Sequence, residues 1–139
     1  MTSSSRTLPH VGEWKVQLRA DTLEAVFAEV ARCLARHVGT SSGPAGEWEE
    51  VTVAARDRIA LLVDWANELI GRSEVAGRAY ADVRNVSIET DGSAALRLRA
   101  EVRGTPVRDW VSPLKAATYH DAIIDCVNGH WRAELVFDV

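Results

Sequence analysis

The feature that most constrains this chain is a change of period near residue 78. Before it, two stretches repeat their apolar residues at helical spacing: Leu23, Val26, Phe27, Val30, Leu34 and Val38, then Ile59, Leu62, Val63, Ala66, Leu69 and Ile70. After it, every apolar stretch alternates, as in Leu96, Leu98, Ala100 and Val102 and again in Trp131, Ala133, Leu135 and Phe137. Strands are also predicted around Trp14, Val16 and Leu18 and around Val51 and Val53. The order strand, helix, strand, helix and then hairpin-linked strands predicts an α+β fold. Two helices would cover about six mostly antiparallel strands, in one curved sheet or two packed ones.

Local signals sharpen the boundaries. Asp21 with Glu24 three residues on resembles a capping box for the first helix, and Gly39 ends it. The second helix is predicted from Asp57 to Ile70 with Gly71 just beyond, and Leu61 and Trp65 widen its stripe enough to require cover on two sides. Asp91-Gly92 and Asn128-Gly129 read as turns, and Gly104 to Pro113 as a loop holding a half-buried Trp110. Residues 1–8 read as a frayed tail and 9–139 as one domain.

With 139 residues, 47% of them hydrophobic, the chain is long enough to bury a core. No apolar run approaches the roughly 20 residues that span a bilayer, and no signal-peptide core opens the chain, so a cytoplasmic protein away from membranes is the expectation. Cys33 and Cys126 sit among apolar neighbours and read as buried free thiols. The net charge of -4 argues against unaided grip on an RNA backbone, where affinity comes from neutralised phosphates. Arg97, Arg99 and Arg103 share a strand face with Glu101 among them, which reads as a mixed, solvated surface.

The stretch Leu114-Lys115-Ala116-Ala117-Thr118-Tyr119-His120 does not follow from packing needs. Regular pleating puts Lys115, Ala117, Tyr119 and Asp121 on one face and Thr118 and His120 on the other; a bulge would bring the sets closer. From the residues alone, an edge strand with a solvated face and a functional cluster remain equally open.

The run Lys-Ala-Ala-Thr-Tyr-His resembles the Lys-Ala-Val-Thr-Tyr-His signature of the archease family, and Leu61 to Ile70 resembles that family's second helix, Leu-Leu-Val-Asp-Trp-Leu-Asn-Glu-Leu-Leu. His10-Val11-Gly12-Glu13 and the ending Phe137-Asp138-Val139 resemble its His-Thr-Ala-Asp element and terminal Asp-Val, with Glu13 in place of the aspartate and Val11 in place of the threonine. The exposed pair Asn67-Glu68 belongs to the same resemblance and is not something a core requires.

The resemblance implies a protein that activates an RtcB-type RNA ligase, in tRNA splicing or RNA repair, by promoting guanylylation of the ligase histidine and multiple turnover. It implies no catalytic residue of its own and contact with RNA only through the ligase. It implies a divalent metal ion, calcium or manganese-like, on Glu13, Asp138 and the carboxylate of Val139. It also implies an activating surface of Lys115, His120, Asp57 and His10. Asp57 needs no such role, being a favoured helix N-cap. The same acids, histidines and lysine leave two alternatives: a small metal-dependent hydrolase of phosphorylated substrates, or a binding module of the same fold without the metal.

Overall fold

The computed structural model describes residues 2–8, 13–90, 92–110 and 115–138. Among them run β1 (Ser3–Leu8), β2 (Trp14–Ala20), α1 (Leu23–Val38), β3 (Gly39–Ser41), β4 (Glu49–Ala55), α2 (Arg58–Ala76), β5 (Arg78–Thr90), β6 (Leu96–Trp110), β7 (Ala116–Val127) and β8 (His130–Asp138). Every pairing is antiparallel. One sheet has the order β1-β2-β8-β7, and the other is built on β6, which pairs with β3, β4 and β5. The α+β expectation holds, in its two-sheet form and with eight strands where about six were expected. No helix among the described residues is long and apolar enough to cross a membrane.

The helices form a layer between the sheets. α1 packs on β1, β2 and β8 of the first and on β3 and β5 of the second; α2 packs on β7 and on β4, β5 and β6. Cover on two sides explains why Leu61, Leu62, Val63, Trp65 and Ala66 are all buried. The indole N–H of Trp65 donates to the Phe27 carbonyl at 2.9 Å, so the largest core side chain carries no unsatisfied donor. Ile59, counted in the stripe from its spacing, lies in the first turn of α2 and is 37% exposed.

Several boundaries depart from the sequence reading. The cap of α1 is Thr22, whose hydroxyl accepts the Ala25 N–H at 3.2 Å, because Asp21 is engaged by the Thr2 N–H and hydroxyl at 3.1 and 2.7 Å. α2 runs past Gly71 to Ala76, since Ser73 continues the buried face and its hydroxyl donates to the Arg78 carbonyl. Gly77, at φ 67°, closes it. β6 continues through the expected loop to Trp110, which is 45% exposed. Pro106 fits there because its carbonyl accepts the Ser42 N–H while the next amide, Val107, bonds Gly77. Of the cysteines, Cys33 is buried and Cys126 exposed. The turn at Asn128-Gly129 has positive φ at both residues, 51° and 79°, as a two-residue hairpin loop of the type I′ class requires.

The largest correction concerns the N-terminus. Residues 3–8 are no tail; they pair in full register with β2. A run of Ser, Arg and Thr offers nothing apolar to bury, but α1 supplies polar partners instead. Glu29, 3% exposed, accepts from the Ser3 hydroxyl at 2.7 Å and from Arg32 and Arg36 at 3.1 and 3.2 Å, and Arg36 also reaches Ser5 at 2.6 Å.

Burial pushes the Glu29 carboxyl up, but the Ser3, Ser5, Arg36 and Arg32 donors outweigh it and hold the group below its ordinary 4.5. A carboxyl lowered on folding stabilises the fold above its unfolded value and loses that contribution as pH falls through its folded value. Glu29→Gln is therefore expected to cost about 1–2 kcal/mol at neutral pH. It is also expected to flatten the loss of stability below pH 4.5, as read by urea unfolding across a pH series.

Candidate functional site

The candidate site is built on the face that α2 turns toward β7. Asp57 caps the helix, accepting the Ala60 N–H at 2.8 Å. Seven and ten residues on, Asp64 and Asn67 fall on the same stripe. Asn67 takes hold of the strand: its Oδ1 accepts the Ala117 N–H at 2.7 Å and its Nδ2 donates to the Ala117 carbonyl at 3.2 Å. β7 is the edge of its sheet, so the carboxamide occupies the place another strand would take.

Just past this clamp the strand leaves its ladder. Thr118 pairs with Val136 and Ile123 with Glu134, so Tyr119, His120, Asp121 and Ala122 all stand against Leu135. Asp121 adopts φ 55° to make the bend. Alternation holds as far as Thr118, whose hydroxyl donates to the Val136 carbonyl at 3.2 Å, and fails over the bulge. The Tyr119 hydroxyl donates to Asp64 at 3.3 Å, and His120 Nε2 lies 3.2 Å from Asp121. Local burial and the Asp64 and Asp57 carboxylates raise the Tyr119 hydroxyl above its ordinary 10, with Arg56 pulling the other way. The phenol is thus a proton donor at neutral pH. Both rings face solvent: Tyr119 is 53% exposed and the His120 side chain 66%.

The start of β2 and the end of β8 lie beside this strand, whereas Thr2 and Ser3 stand at the far end of the sheet, next to Asp21 and Ala20. β2 and β8 are neighbours, with Trp14 opposite Phe137, and one further step of that register brings Glu13 level with Asp138. On the other side of β8, Ala116 pairs with Asp138 and the Lys115 N–H donates to the Asp138 carbonyl at 3.1 Å. Asp138 and Lys115 thus lie at one end of adjacent strands, with Glu13 just before β2; Ala116 stands opposite Asp138, so alternation turns the Lys115 side chain to the other face. Asp57 does not join them. It lies ten residues of helix from Asn67, about 15 Å at the usual rise, in the company of Arg56 at 3.5 Å and Tyr119. The expected activating residues are thus strung along β7 rather than gathered in one pocket. His10 and Val139 lie outside the described residues.

Carboxylates at adjoining strand ends are the right kind of donor for a hard divalent cation, which takes six or more oxygens. Among the described residues no group of three or more His, Cys, Asp or Glu side chains is close enough to hold a metal. Glu13 and Asp138 fit as two ligands of a set that needs others. Asn67 and Asp64 were not recognised as site residues from the sequence, although their spacing from Asp57 was a usable signal.

A model of the archease protein family matches residues 6–139. Protein archease of Methanopyrus kandleri is 28% identical over 138 residues, 95% of this chain and 96% of its own length. Protein archease of Thermococcus gammatolerans is 31% identical over 134 residues, 94% of each chain. The solution structure of Methanobacterium thermoautotrophicum protein 1598 shares the fold, with a TM-score of 0.80 at 21% identity over 97% of this chain and 98% of that one.

Asn67→Ala removes both bonds to the Ala117 peptide. Loss of about 1–2 kcal/mol of local stability is expected, which speeds amide exchange at Ala117 roughly five- to thirtyfold. Exchange in β2, at the centre of the sheet, should not change.

Proposed function

This chain belongs to the archease family, and on that premise we propose that it is a non-enzymatic activator of an RtcB-type RNA ligase. It promotes guanylylation of the ligase histidine and repeated turnover in tRNA splicing or RNA repair. The observation that carries this reading is the display of Tyr119 and His120. Both are exposed, yet the strand bearing them is held to α2 at two points, by Asn67 at Ala117 and by the Tyr119–Asp64 bond. A small-molecule enzyme encloses its reacting groups in a concave pocket; a rigid, outward-facing set suits docking on a larger partner.

On this reading Lys115 meets a phosphate or an acidic group of the ligase, and His120 and Asp57 orient groups across the interface. Positioning of that kind lowers a barrier without covalent chemistry by the activator. Glu13 and Asp138 are the residues that would hold a divalent cation, calcium or manganese-like, and such an ion supplies positive charge against phosphate oxygens.

The test is single-turnover guanylylation of a purified RtcB-type ligase with stoichiometric activator, GTP and a series of divalent metals. Acceleration is expected. His120→Ala and Lys115→Ala, both at exposed positions, should lose most of it while melting within a few degrees of the parent. No acceleration under any metal, or hydrolysis of a phosphate ester by this protein alone, defeats the reading.

A further inference from the structure

At the other end of β2 and β8 from Glu13 and Asp138, a cleft of about 520 Å³ opens beside the β7–β8 turn. Arg19 in its wall is six residues from Glu13, about 20 Å along an extended strand. Its wall includes three members of one row of the sheet, with Ser4 opposite Arg19 and Arg19 opposite Arg132; the fourth, Asp125 opposite Arg132, lies outside it. Directly opposed residues share a face, so Arg19 and Arg132 rise from the same face of neighbouring strands.

Arg132 is answered by Asp125, which its Nε and Nη2 reach at 3.4 and 3.2 Å. Arg19 has no hydrogen-bond or ion-pair partner among the described residues. Two residues on, just past β2, the cleft holds an acid, Asp21, but both its oxygens are engaged: one takes the Thr2 N–H and hydroxyl, and the other lies 3.5 Å from His130 Nδ1. Like charges opposite each other destabilise a sheet. An oxyanion between them removes that cost, and the planar fork of arginine matches phosphate oxygens two at a time.

Other donors line the same space, with the hydroxyl of Ser4 and the amide of Asn128. Val127, 46% exposed, gives it an apolar wall. A cleft of this size accommodates a small organic molecule, and an apolar wall beside a cationic pair suits one that carries a phosphate. We infer that this cleft binds a small phosphomonoester, with its phosphate between Arg19 and Arg132 and its organic part against Val127. The inference stands apart from the ligase reading, since the two sites share no residue.

The test is amide NMR titration of the full chain with inorganic phosphate and, separately, with AMP. Both are expected to shift Ser4, Arg19 and Arg132 saturably, with AMP binding more tightly and also shifting Val127. Arg19→Gln, at an exposed position, should weaken both by about tenfold or more, while Arg97→Gln on the other sheet leaves them unchanged. No saturable shift at the cleft up to about 10 mM ligand, or equal affinity in Arg19→Gln, overturns the inference. AMP binding no tighter than phosphate overturns the phosphomonoester assignment in favour of a bare anion site.

Discussion

One carboxamide ties the free edge of the polar strand to the helix layer. Asn67 both accepts from and donates to the Ala117 peptide, from a helix whose apolar stripe is locked in the core. β7 has β8 on one side only, and its bulge interrupts that pairing over four residues. A strand with one neighbour and a broken ladder slides or frays readily. The clamp falls at Ala117, just before the break, and the Tyr119–Asp64 bond falls at its start. Both partners stand on α2 three residues apart, so the helix measures out where the strand bends.

The same helix could not do this without the layer around it. α2 is held between the sheets by apolar contacts on two sides, and α1 meets it through the Trp65–Phe27 bond and the edge-to-face packing of the two rings at 6.3 Å. α1 in turn holds the N-terminal strand through buried Glu29. That strand flanks β2, which places β2 and β8 in the interior of the sheet. Antiparallel register between these interior strands sets Trp14 opposite Phe137, which leaves Glu13 and Asp138 as the neighbours just beyond that pair. Lys115 brings a positive charge to the same end from the third strand.

Periodicity carried most of the architecture. Burial alone sets the spacing of α1, α2, β2, β4, β6 and β8, and a burial pattern is visible in one sequence. It failed where polar groups are satisfied by distant polar groups. Ser3 and Ser5 face inward onto charges from α1, 26 and 31 residues away. Asp21 gave up its expected cap because Thr2 reached it first. Asn67 and Ala117 are 50 residues apart, and an exposed-looking amide announces no partner. For the candidate site, the register linking Glu13, Asp138 and Lys115 follows from strand order, which the sequence did not disclose. The separation of Asp57 from them reflects helix length. The bulge was legible only as an option, since no residue type compels one.

The arginines of β6 show how charge composition and local structure agree. Arg103 pairs with Asp82 at 3.0 Å, and Arg84, on β5, pairs with Glu101 at 3.2 Å. Their guanidiniums lie 4.5 and 4.0 Å from the Trp48 ring, covering an aromatic surface that would otherwise face water. A cation already paired with a carboxylate and stacked on an indole releases few counterions when a phosphate approaches. The part of this face around Trp48 is therefore a poor electrostatic track for nucleic acid, in keeping with a net charge of -4. On the proposed reading that is an advantage: an activator with little affinity of its own for RNA does not compete with the ligase for the substrate. It can meet the ligase by geometry, through a held and exposed strand, and leave the RNA to the partner's charge.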